Sequence, residues 1–146
     1  MAILIDNRQQ RHPIDTKTVE KTAIAILNAL GCPDAELSIV LVDDPDIQAL
    51  NLQYRGKNSP TNVLAFAMRD GDFGDVTPTL LGDVVMSLDT LQREAQAAGQ
   101  PVAERMTELL IHGILHLLGF DHEASEADAA FMEDKSRELL AMVSAG

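Results

Sequence analysis

Apolar residues recur along this chain with two alternating periods. Short runs rich in Ile, Val and Leu at 2–6, 37–42, 62–68 and 79–86 have the length and β-branched character of strands. The run 37–42 is continuous, as expected of an inner strand covered on both faces. Between the runs the spacing becomes helical. Val19, Ala23, Ile26, Leu27 and Leu30 fall on one stripe that Gly31 and Pro33 end, and Asp44-Pro45 open a second helix as cap and first-turn proline, closed by Gly56. Residues 69–78 form an acidic, turn-rich loop expected to be mobile, and Gly82 marks a bulge in the strand that follows. Ser87 caps a helix running to Gly99, Pro101 opens another that Gly119 stops, and Ser125 with Asp128 caps a last helix to about Val143. The order β-α-β-α-β-β-α-α-α predicts one α+β (α/β-like) domain over residues 1–146. Its four-stranded β-sheet is mixed, because the third and fourth strands are close enough to form a hairpin, and about five helices cover it.

Composition narrows what such a domain can do. A chain of 146 residues buries a core without disulfides or a structural metal, so an ion, if bound, is there for chemistry. The lone Cys32 excludes a cystine scaffold and fits a reducing, cytoplasmic setting. No apolar stretch approaches the roughly 20 residues that span a bilayer, and Met1 to Arg11 do not read as a signal peptide. The net charge of −12 argues against a general nucleic-acid binder. The charge is uneven, however. Residues 1–60 are nearly neutral, so a local basic groove from Arg8, Arg11, Arg55 and Lys57 stays open.

The strongest chemical signal is His112-Gly-Ile-Leu-His116-Leu-Leu-Gly119-Phe-Asp121-His122. His112 and His116 stand at i, i+4, so their imidazoles leave one helix face a turn apart. Gly119 lets the chain turn back and bring His122 to the same ion. Three imidazoles suit one Zn²⁺ and leave a fourth position for water, the pattern of a catalytic site. Read blandly, these are packed or exposed helix histidines, but on so apolar a segment a polar ring needs a partner. The spacing matches the zinc-protease motif except that Gly113 replaces the glutamate base, which removes much of the case for peptide hydrolysis. Water activated by the ion, Asp121 or Glu108 could supply the proton chemistry instead. Asp121 could equally orient an imidazole, and Glu108 could simply be solvated.

Taken together, these residues resemble the YbeY family of bacterial single-strand-specific metallo-endoribonucleases. The histidine segment is similar to the family's H-G-x-L-H-L-x-G-Y/F-D-H. Leu50-Asn51 through Tyr54-Arg55, Pro60-Thr61-Asn62-Val63-Leu64 and Phe66 resemble its L-N-x-x-Y-R…P-T-D-V-L-S-F, and Leu81-Gly82-Asp83 its L-G-D segment. Asn62 stands where the family usually has Asp, and Ala67 where a Pro often follows. The resemblance implies that His112, His116 and His122 hold zinc, and that Arg55 is the functional arginine near it. It also implies single-stranded rRNA as substrate, 16S rRNA 3′-end maturation, and recruitment by a partner on the ribosome. On this reading Arg55, His116 and Asp121 carry catalysis, while Arg55 and Lys57 bind substrate. A ribosomal small-subunit protein or an assembly GTPase fits the acidic exterior as partner. Two rival readings are a zinc-dependent peptide or amide hydrolase and a non-enzymatic assembly factor with a structural metal. Thr61, Asn62 and Asp83 also have plain structural explanations in a turn and a bulge. His12 reads as an exposed loop residue, and Met86 and Met106 as core filler.

Overall fold

In the computed structural model, which describes residues 3–68, 80–120 and 125–145, the predicted order of elements is met in full. The acidic loop and the segment holding Asp121 and His122 lie outside the described residues. The strands are β1 (Ile3–Asn7), β2 (Glu36–Val42), β3 (Val63–Ala67) and β4 (Leu80–Ser87). The helices are α1 (Thr16–Ala29), α2 (Asp44–Arg55), α3 (Leu88–Ala98), α4 (Val102–Leu117) and α5 (Glu126–Ala145). The sheet runs β1-β2-β4-β3, with β1, β2 and β4 parallel and β3 antiparallel beside β4. Gly82 sits where the β2–β4 register shifts, at φ 141, and a Cβ there would run into the Phe66 carbonyl oxygen. The bulge therefore needs glycine.

Local chemistry fixes the helix ends. Asp15 caps α1 through the Lys17 N–H at 3.0 Å, Ser87 caps α3 through Thr90, and the Ser125 hydroxyl accepts from the Asp128 N–H at 3.0 Å. The cap of α2 differs from expectation by one residue. Asp43 takes that role, because Pro45 lies within the first turn and Asp44 is already helical. Gly56 then ends α2 in the left-handed conformation at φ 71.

Alternation along the strands sends Leu37, Ile39, Leu41, Val84 and Met86 into a core shared with α1, α3, α4 and α5. Helix α4 is buried on nearly every side, including Met106, as a central helix must be. The opposite sheet face carries a smaller cluster, Val42, Leu64 and Val85 under Ile47 of α2. The inner strand β2 is thus not fully covered on both faces as its apolar run suggested. One short helix cannot span the second face, and Leu4 on β1 stays 69% exposed there.

Candidate functional site

Helix α4 crosses the β3–β4 pair, and Gly113 sets how closely it does so. A Cβ at 113 would meet the Val84 methyls at 2.9 and 3.1 Å, so only glycine permits this approach. The tight packing seats the two flanking histidines over the edge of β3. The His112 and His116 rings face each other across one turn, centroids 4.7 Å apart at 65°.

Both imidazoles line an open cleft of about 470 Å³ whose other walls are β3, from Val63 to Ala65, the turn residues Thr61 and Asn62, and Phe120 beyond the end of α4. Arg55, the last residue of α2, completes the wall. Residues 57 positions apart in sequence thus meet in one cavity. Lys57 does not line it; it lies exposed in the turn after Gly56, its N–H bonded to the Asn51 carbonyl. Asp83 is exposed on β4, and it too is absent from the cleft wall. The basic groove that the charge distribution left open does not form as a unit. Arg8 pairs with Asp6 at 2.7 Å and Arg11 lies 3.6 Å from Asp89, so of that set Arg55 alone reaches the cleft.

The donor chemistry of His112 and His116 fits a divalent transition metal: two imidazoles, one helical turn apart, lining a cavity. Among the described residues no group of three His, Cys, Asp or Glu side chains gathers; His122, the expected third ligand, lies outside them.

Behind His112 runs a chain of polar contacts that links three elements. The Asn62 amide donates to both Glu94 carboxylate oxygens at 3.1 and 3.3 Å. Glu94 also accepts from Arg105 Nε and Nη2 at 3.1 and 2.8 Å, and Arg105 Nη1 reaches Glu108 at 3.1 Å. Burial works against the Arg105 charge, but hydrogen bonds to Glu94 and Glu108 outweigh it and push its pKa up. Glu108 is therefore an ion-pair partner rather than a solvated bystander. The same chain rationalises Asn62 in place of an acidic residue, since an Asp facing Glu94 would set two carboxylates against each other. The i, i+3 spacing of Arg105 and Glu108 made that pair legible in sequence; Glu94, from another helix, had no such signal.

A second polar cluster ties the carboxyl ends of β2 and β4 to the loop after β1. Asp89, buried at the start of α3, accepts from the Asp44 N–H at 2.9 Å and sits 2.8 Å from His12 Nε2. Asp44 accepts from the Ser87 and Thr90 hydroxyls, each at 2.6 Å, and pairs with Arg93 at 2.8 Å. The Asp44 N–H bond, opposed by burial and helped by His12, lowers the Asp89 pKa. For Asp44, burial opposes ionisation but the Ser87, Thr90 and Arg93 contacts prevail and lower its pKa as well. His12 is thus a bound residue, contrary to the exposed loop position expected of it: a carboxylate 77 residues away fixes it.

Known proteins agree with this architecture. The sequence model of the family described as Endoribonuclease YbeY matches residues 4–144. The Endoribonuclease YbeY of Geobacter sulfurreducens is 52% identical over 100% of this chain and 98% of its own length. That of Geobacter metallireducens is 50% identical, covering 98% and 96%, and that of Syntrophotalea carbinolica 48%, covering 97% and 95%. A Thermotoga maritima protein solved in solution shares the fold, with a TM-score of 0.67 at 24% identity over 98% of this chain and 89% of that one. With a family match across nearly its whole length, and relatives near half identity over the same span, the chain belongs to the YbeY endoribonuclease family.

Proposed function

We propose that this chain is a zinc-dependent endoribonuclease, one hydrolase domain over residues 1–146, that cuts single-stranded rRNA during 16S 3′-end maturation, ribosome biogenesis and quality control. The observation that carries the reading is the convergence of His112, His116 and Arg55 on one cleft. In this reading His112, His116 and His122 hold one Zn²⁺. The ion, when bound, supplies a Lewis acid for a phosphoryl oxygen and lowers the pKa of water.

The chain's own residues do the rest. Arg55 presents a planar fork to the scissile phosphate and stabilises the charge that builds on it. Asp121 orients an imidazole or moves a proton beside it. Lys57, exposed on the turn two residues past Arg55, holds the strand outside the cleft. Peptide hydrolysis lacks its base: position 113 points into Val84, and a glutamate there has no room.

The net charge of −12 gives the isolated protein weak affinity for RNA. Recruitment therefore falls to a basic ribosomal small-subunit protein or an assembly GTPase, in the cytoplasm. Among the described residues no helix is long and apolar enough to cross a membrane.

Metal content and cleavage of a single-stranded 16S fragment, compared across wild type, His116→Ala and Arg55→Ala, test the reading. Zinc near one per chain is expected in wild type and Arg55→Ala and is lost in His116→Ala, with cleavage lost in both variants. Cleavage that survives both substitutions would overturn it.

A further inference from the structure

The cleft does not end at His112. A second cavity of about 360 Å³ opens on the other side of the same imidazole, between α4 and α5, and shares Asn62, Val63 and His112 with the first. Its charged residues balance: Arg105 and Arg137 stand against Glu108 and Glu133. Arg105 is committed to Glu94 and Glu108, and Arg137 lies 2.6 Å from Asp134 and 4.0 Å from Glu133. A cavity whose cations are already neutralised does not attract a phosphate. Between those pairs its accessible apolar surface comes from the half-buried Val63 and Leu140, while Leu109 and Ile111 are buried. A flat, neutral heterocycle with polar edges matches such a lining: faces against the aliphatic walls, edges to guanidinium and carboxylate groups.

We propose that this second cavity is a nucleobase subsite, taking an unpaired base next to the phosphate held at Arg55 and His116. It rests on the nuclease reading above and adds a determinant to it. A base reaches the cavity only when it is neither paired nor stacked, so the subsite itself discriminates against duplex. Asn62, anchored by Glu94, forms part of the wall common to both cavities, with Val63 and His112, and sets the step between phosphate and base. Ser136 of α5, half-buried, lines the second cavity and not the first, so bulk placed there blocks one and spares the other.

The test uses the full chain and an unstructured RNA oligonucleotide carrying one cut site, with a single abasic position walked across it. Binding by fluorescence anisotropy and cleavage are both read. In wild type one abasic position beside the cut lowers binding and cleavage about ten-fold, the others little. In Ser136→Trp, intact RNA falls to the abasic level and the scan goes flat. A flat scan in wild type that still binds and cuts overturns the subsite and leaves the nuclease reading standing. Binding that depends on one abasic position without any cleavage supports the subsite and removes the nuclease reading. If wild type neither binds nor cuts, both fall. The wild-type scan needs no variant, so a Trp protein that fails to fold does not decide the matter.

Discussion

Two regions of this molecule gather histidine with ionisable partners, and they use them in opposite ways. At the ends of β2 and β4, His12, Asp44 and Asp89 close on one another and on Ser87, Thr90 and Arg93 at 2.6–2.9 Å. None of these residues lines either of the two cavities described above, and the Asp89 side chain is 9% exposed. In the cleft, His112, His116 and Arg55 converge on about 470 Å³ of open space instead. The first arrangement fastens three chain segments into the fold, and the second lines an open cavity. Residue type alone does not separate a structural histidine from a ligand. The direction in which its neighbours close does.

The comparison breaks first at His116. His116→Ala should lower RNA cleavage by about 10³-fold or more, the scale of several kcal/mol lost from the transition state, while the apoprotein keeps its melting temperature. A matching loss of apoprotein stability would make the cleft as structural as the cluster. The converse substitution, Asp89→Ala, leaves the Asp44 N–H and His12 without their acceptor. It should cost about 2 kcal/mol in urea unfolding, with the folded fraction cutting RNA as before. Third, Gly113→Glu restores the spelling of a zinc protease but drives a side chain into Val84. Destabilisation of about 1–3 kcal/mol with no peptide hydrolysis is expected; peptide cleavage would revive the rival hydrolase.

The smallest effect is on pH. Asp44 and Asp89 both titrate below the ordinary carboxylate range when folded, so the stability they supply is present above it and is lost as pH falls through about 4 and below. Urea midpoints from pH 6 to pH 3 should fall more steeply in wild type than in Asp89→Asn. Equal slopes would show that Asp89 contributes nothing through its charge.

Much of this is legible in the sequence. Hydrophobic periodicity, with Gly56, Ser87, Gly99 and Ser125 as punctuation, was enough for nine elements in order, because caps and stripes are local properties. The pairing of His112 with His116 was legible for the same reason: an i, i+4 spacing is fixed by the helix itself. Asp43 was missed as a cap by one residue, since two adjacent aspartates before Pro45 offer the same chemistry.

What the tertiary structure alone decided is every relation between distant segments. The half-bare second face of the sheet follows from how few helices pack there, which the apolar run of β2 could not tell. His12 found Asp89, and Asn62 found Glu94, through strand order and helix packing rather than any spacing along the chain. Arg55 entered the cleft while Lys57 did not, because Gly56 ends α2 between them. By itself the sequence determined the elements and the placing of His112 and His116 on one helix face, both set within a turn or two of chain. Which side chains share a cavity depends on long-range packing, and that information exists only once the chain has closed on itself.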